Sequence, residues 1–132
     1  MMKMTMREVL TISKTNDLRK LVQEQLKTIT NNVYHKIADE DAVYPHIVHV
    51  IERTNVIVEH RDDATLVVDV WTKSAPEALE LADSVEMVLN RRNLPQETIL
   101  PTFFLETKID VKDDDKSICH IQLSFNVQNY ER

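Results

Sequence analysis

The chain has 132 residues, 42% of them hydrophobic and 29% charged, with a formal net charge of −6. That composition excludes a wholly disordered polymer and predicts one domain over residues 1–132, large enough to bury a core without cross-links. The acidic balance disfavours tight nonspecific nucleic-acid binding, and Arg91–Arg92 with Lys73 are too few to form a basic patch.

Thr15-Asn16-Asp17 reads as a helix start, followed by Leu18, Leu21, Val22, Leu26 and Ile29 at helical spacing. This helix is expected to end before Asn31-Asn32. Residues 5–13 read as a preceding turn of helix. Val33 to Ala38 reads as a short strand and Asp39-Glu40-Asp41 as a loop. Pro45 biases Tyr44 towards extended backbone. His46 to Glu52 reads as a strand that Val56 to Glu59 continues or pairs with. Arg61-Asp62-Asp63 reads as a turn. Leu66 to Trp71 is apolar on both faces, the pattern of a central strand.

The clearest element is a second helix. Ser74 and Glu77 form a capping box, and Pro76 sits in the first turn, where its missing N–H costs little. Ala78, Ala82, Val85 and Leu89 make one stripe, widened by Leu81 and Val88, and the helix is expected to stop near Arg91. Two long strands follow. Phe103, Leu105, Thr107, Ile109 and Val111 alternate with Phe104, Glu106, Lys108 and Asp110. Cys119, Ile121, Leu123, Phe125 and Val127 alternate with His120, Gln122, Ser124 and Asn126. With Lys112 to Lys116 between them, they read as a hairpin with one buried and one wet face. The whole predicts an α+β fold: a mostly antiparallel sheet with two helices packed on one face and a long C-terminal β-hairpin.

The chain contains no glycine. Phosphate-cradling loops need glycine for positive φ and close backbone approach, so neither a Walker loop nor a dinucleotide fingerprint is present. Tight hairpins are expected to turn on Asn and Asp instead. The single cysteine, Cys119, cannot form an internal disulfide and reads as a small core residue. No apolar run approaches the ~20 residues of a membrane helix. Met1 to Met6 lacks a signal-peptide core, so synthesis and folding in the cytoplasm are expected, with no membrane partner.

The most tempting catalytic pattern is Glu106 and Lys108 with Asp69 on an earlier strand. Two carboxylates and a lysine can hold a divalent metal and activate water for phosphodiester cleavage, as a metal-dependent nuclease does. Here a full helix separates the two strands, and alternating Glu and Lys is also the ordinary pattern of a solvated face. His46 and His49 are three apart, which on a strand points them to opposite faces and away from a shared metal. His120 is expected on the wet face. Asp113-Asp114-Asp115 lacks the ligand spacing of a calcium loop and reads as a solvated hairpin tip. Trp71 and Tyr44 are either interface anchors or core residues. No catalytic residue, cofactor or metal is expected.

The pattern as a whole resembles the tail-completion and tail-terminator (tail-to-head joining) proteins of long-tailed bacteriophages. The resemblance lies in the first helix, Val33-Tyr34, Val43-Tyr44-Pro45, the strand ending in Asp69-Val70-Trp71, the capped helix opening Ala75-Pro76-Glu77-Ala78-Leu79-Glu80-Leu81-Ala82, and the hairpin ending Phe125-Asn126-Val127. It implies a non-enzymatic virion protein, built in the host cytoplasm and resident in the tail. Its subunits would form a ring, commonly hexameric, that ends the tail tube. The implied partners are its own copies, the tail tube protein and the head connector or head-completion protein, with DNA only passing through the lumen. Another head-completion or tail-tube component is the neighbouring alternative. Asp113, Asp114 and Asp115, with Gln122, Ser124 and Asn126 on the outer face of the hairpin, are the expected interface.

Overall fold

The computed structural model describes residues 13–132. The predicted turn of helix over residues 5–13 therefore falls outside the described residues, except for Ser13. Ser13 is itself the first cap: its hydroxyl accepts from the Asn16 amide at 3.2 Å. The helix α1 accordingly runs Lys14–Lys27, beginning earlier than Thr15-Asn16-Asp17 suggests. Leu18, Leu21, Val22 and Leu26 form its buried stripe.

Five strands follow: β1 Val33–His35, β2 His46–Val58, β3 Arg61–Thr72, β4 Ile99–Val111 and β5 Cys119–Glu131, with helix α2 Ala75–Leu89 between β3 and β4. They form one sheet in the order β1-β2-β3-β5-β4. Only the β1–β2 pairing is parallel. Both helices lie on the same face, and their stripes join one core with Ile47, Leu66, Val68, Val70, Phe103, Leu123, Phe125 and Val127. Ala78 and Ala82 are buried, and their small side chains let α2 approach the sheet closely. Ser74 caps α2 at the Glu77 amide, the forward half of the capping box, while the Ser74 amide donates to Thr72 Oγ1 rather than to the Glu77 side chain. The α+β fold and the closing β4–β5 hairpin are those expected, and β3 is the central strand.

Four local expectations are corrected or resolved. First, β1 stops at His35, because Lys36 turns into the left-handed region (φ 70°) with its amide held by the His49 carbonyl at 2.9 Å. Second, of the two readings of Val56 to Glu59 the continuation holds: β2 runs on to Val58 and absorbs Arg53-Thr54-Asn55 through a bulge between Ile51 and Arg53. Third, Arg61-Asp62-Asp63 is strand, and the turn is Glu59-His60. The three charges fit there because Asp62 meets Lys14 Nζ at 3.3 Å, while Arg61 Nε donates to Asp63 at 2.9 Å on the opposite face. Nor does the sheet turn on Asn or Asp there; the non-glycine residues with positive φ among those described are Lys36 and Arg91.

The fourth correction decides what the hairpin presents. The β4–β5 register shifts between Leu105 and Thr107, leaving Glu106 as an extra residue. A single inserted residue exchanges the two faces of a strand from that point on. Phe103 and Leu105 pack on the core, but Lys108 and Asp110 then pair with Leu123 and Ile121 on the helix side. Thr107, Ile109 and Val111, expected on the buried face, pair with Ser124, Gln122 and His120 on the open face. Ile109 is 49% exposed there. The second helix also stops earlier than expected, at Leu89. Asn90 leaves helical geometry, its Oδ1 accepts from the Leu105 amide at 2.8 Å, and Arg91 takes φ 59°.

Candidate assembly surface

Among the described residues no helix covers the open face of the sheet, so its side chains supply a surface for partners. At the end where β2 begins, strand pairing aligns His46, Trp71 and His120 in one row, because His46 pairs with Trp71 and Trp71 with His120. Side chains at paired positions stand close together. The Trp71 and His120 rings stack with centroids 3.6 Å apart, and the His46 ring lies 6.3 Å beyond. Tyr44 and Tyr34 close the row against His46 at 4.9 and 6.1 Å. His120, expected in water, is only 8% exposed because Trp71 covers it. Its Nε2–H donates to Asp69 Oδ1 at 2.6 Å, and Gln122 Nε2 donates to the same oxygen at 3.1 Å. His46 Nδ1–H donates to the Val43 carbonyl at 3.3 Å, and burial holds its pKa below the ordinary imidazole value.

The segment 36–45 folds over this row. Between it and the sheet lies a groove of about 380 Å³ whose lining includes Lys36, Asp39, Glu40, Tyr44, Asp69 and Trp71. Trp71 and Tyr44 are thus partly buried groove walls rather than core. Lys73 Nζ sits 5.1 Å above the Tyr44 ring. Acidic side chains also mark the nearby hairpin tip. Asp113 accepts from the Asp115 amide at 2.9 Å, and Asp115 accepts from the Ser117 amide and hydroxyl at 2.9 and 2.7 Å. Those Ser117 bonds hold the Asp115 carboxyl below its ordinary pKa. The tip is therefore an ordered turn built on its own carboxylates.

Gln122, Ser124 and Asn126 lie on the open face, paired with Asp69, Val67 and Thr65 of β3. They do not share the groove, so the expected interface residues divide between the hairpin tip and the open face. The nuclease trio is not assembled either. Asp69 is on the open face, while Lys108 is on the helix side, bonded to Asp83 at 2.6 Å and Glu86 at 3.2 Å. Glu106 is the exposed bulge residue. His46 and His49 face opposite sides of β2, as their spacing predicts. His49 lies against α1, where its Nε2 meets Gln23 Oε1 at 2.5 Å. Among the described residues no group of three His, Cys, Asp or Glu side chains could hold a metal ion.

Two surface features escaped the sequence reading. Val56, Ile57 and Val58 are 77%, 49% and 57% exposed on the outer half of β2, which extends beyond β1 and has no strand partner on that side among the described residues. A β-rich apolar triplet beside a turn is the signal that marks such an edge. Arg91 and Arg92 form the other feature, strapped to β4 by the bonds Arg91 N to Phe103 O at 2.7 Å and Phe103 N to Arg92 O at 3.1 Å. Among the described residues no helix is long and apolar enough to cross a membrane.

No protein-family model matches the chain, and no curated protein matches it significantly. Among solved structures it is similar to a chain of the "Virion of native gene transfer agent (GTA) particle". The alignment covers 84% of this chain and 92% of that one, with a TM-score of 0.68 at 14% sequence identity. At that identity the likeness is one of fold.

Proposed function

We propose that the protein is a structural subunit of a phage-like virion, acting at the head–tail junction as a ring that ends the tail tube and joins it to the head connector. The observation that carries this reading is the fold shared, over nearly the whole length of both chains, with a chain of a gene transfer agent particle. The phage tail-terminator resemblance of the sequence points the same way, from different data. The surface is suited to the role: an open sheet face, a groove with aromatic walls, an acidic hairpin tip and two partly unpaired sheet edges, features that bind proteins. Closing a ring needs one surface to meet a different surface on the next copy. The chain is read as one domain, assembled in the host cytoplasm and resident in the virion tail, with tail tube and connector as partners. An acidic lumen would let DNA pass without adhering.

Electron microscopy of particles made without this protein tests the reading. Tails of abnormal length, or tails detached from filled heads, are the expected outcome. Joined particles with tails of normal length would overturn it.

A further inference from the structure

Near each outer strand of the sheet lies a pair of exposed side chains of one sign, acidic beside β1 and basic beside β4. At the β1 side, the groove under segment 36–45 presents Asp39 and Glu40 beside the ammonium groups of Lys36 and of Lys73, which sits over Tyr44, and Asp41 adds another exposed carboxylate. Its walls are Tyr44 and Trp71. Among the described residues, Asp39, Glu40 and Asp41 make no salt bridge. His46 and His120 flank Trp71, and Lys73 covers Tyr44, so a guanidinium meets the groove through its acidic rim, whose carboxylates its planar fork matches.

At the β4 side, Arg91 and Arg92 are both exposed. The nearest acids, Asp83 and Glu86, are already taken by Lys108. Neither guanidinium lies within salt-bridge distance of a carboxylate in the described residues. The backbone beneath them is fixed by the strap to Phe103 and by the Asn90–Leu105 bond. A fixed backbone loses little freedom on binding.

We infer that the occupant of the groove is a second copy of this chain, whose Arg91–Arg92 turn docks against Asp39 and Glu40 at its acidic rim. The inference rests on the ring reading and gives it a defined contact. The two surfaces differ and lie on opposite edges, since β1 and β4 are the outer strands. Their pairing is therefore head-to-tail, the arrangement that closes into a ring rather than stopping at a dimer.

The test uses the full chain carrying Cys119→Ser, Glu40→Cys and Arg92→Cys, oxidised at high protein concentration. A ladder of disulfide-linked species ending at a closed ring is expected, whereas either single-cysteine version stops at dimers. A paired-cysteine protein that yields nothing beyond dimers overturns the inference. Sedimentation gives a second readout. The double variants Arg91→Glu/Arg92→Glu and Asp39→Lys/Glu40→Lys are each expected to self-associate about tenfold or more weakly, because like charges then face each other. An equimolar mixture restores both contacts in alternation and regains association. A mixture no better than its parts overturns the inference. A chain that binds tail ends yet gives no ladder overturns this contact and leaves the virion reading standing; a ladder from a chain that ignores tail tubes does the reverse.

Discussion

Acidification from pH 7.5 to 4 will weaken the fold through His49. This side chain is fully buried against α1. Gln23 Nε2 donates to the Val33 carbonyl at 3.1 Å, which turns Gln23 Oε1 towards the imidazole. The Nε2 of His49 must then carry the proton, leaving Nδ1 a bare acceptor, and that atom has no hydrogen-bond partner among the described residues. Protonating Nδ1 would bury a charge with nothing to receive its hydrogen. Burial, followed by the charges of His35 and Arg19, lowers the pKa from 6.5 to about 4. Above pH 6.5 the group is neutral folded and unfolded, so it adds no pH dependence. Between 6.5 and about 4 only the unfolded chain takes the proton, and stability falls as pH falls; below about 4 this contribution to the slope ends. The full gap corresponds to about 3 kcal/mol. Urea unfolding of the wild type and of His49→Gln, which keeps a donor for Gln23, at several pH values isolates the effect. His46 titrates in both proteins and cancels in the difference. The wild type should lose about 3 kcal/mol relative to the variant across this range. Stability curves that run parallel from pH 7.5 to 4 would refute the reasoning.

Other outcomes follow from packing and hydrogen bonding. Phe125→Ala, at a position of zero exposure in the shared core, should cost roughly 3–5 kcal/mol and lower Tm by on the order of 10–20 °C, read by calorimetry. Asn90→Ala leaves the Leu105 amide without its acceptor and should cost about 1–3 kcal/mol, with faster amide exchange along the strap between Arg91 and Phe103. Ser74→Ala removes the α2 cap and should cost about 1 kcal/mol by urea unfolding, with circular dichroism otherwise unchanged. Replacing Asp113, Asp114 and Asp115 with lysine removes the exposed hydrogen bonds of the tip, which should lower the urea unfolding midpoint modestly, while impairing head–tail joining; normal joining by that variant would remove the hairpin tip from the interface.

What the sequence revealed depended on whether a pattern was local. The N-cap at Ser74, the stripe of α2 and the alternation of β5 are carried by neighbouring residues, and the structure has all three. The largely apolar run of Leu66 to Trp71 marked the central strand, and β3 is indeed paired along both edges, with β2 and β5. The bulge at Glu106 left no comparable mark. The residues around it alternate without interruption, so the exchange of faces that puts Ile109 in the open and Lys108 beside α2 follows from pairing with β5. Likewise Asp62 looked like a turn residue because its partner, Lys14, sits on another element. The groove was illegible for the same reason: it forms where a parallel pairing of β1 and β2 returns segment 36–45 over Trp71. Each aromatic was visible as a candidate anchor, but their common row exists only across paired strands.

The most direct test of a tail-ending role is where the purified protein binds on isolated tail tubes. Gold-labelled protein viewed by electron microscopy should sit at one end of each tube and block further addition of tube subunits. Label scattered along the tube walls, or tubes that keep growing in its presence, would contradict the account.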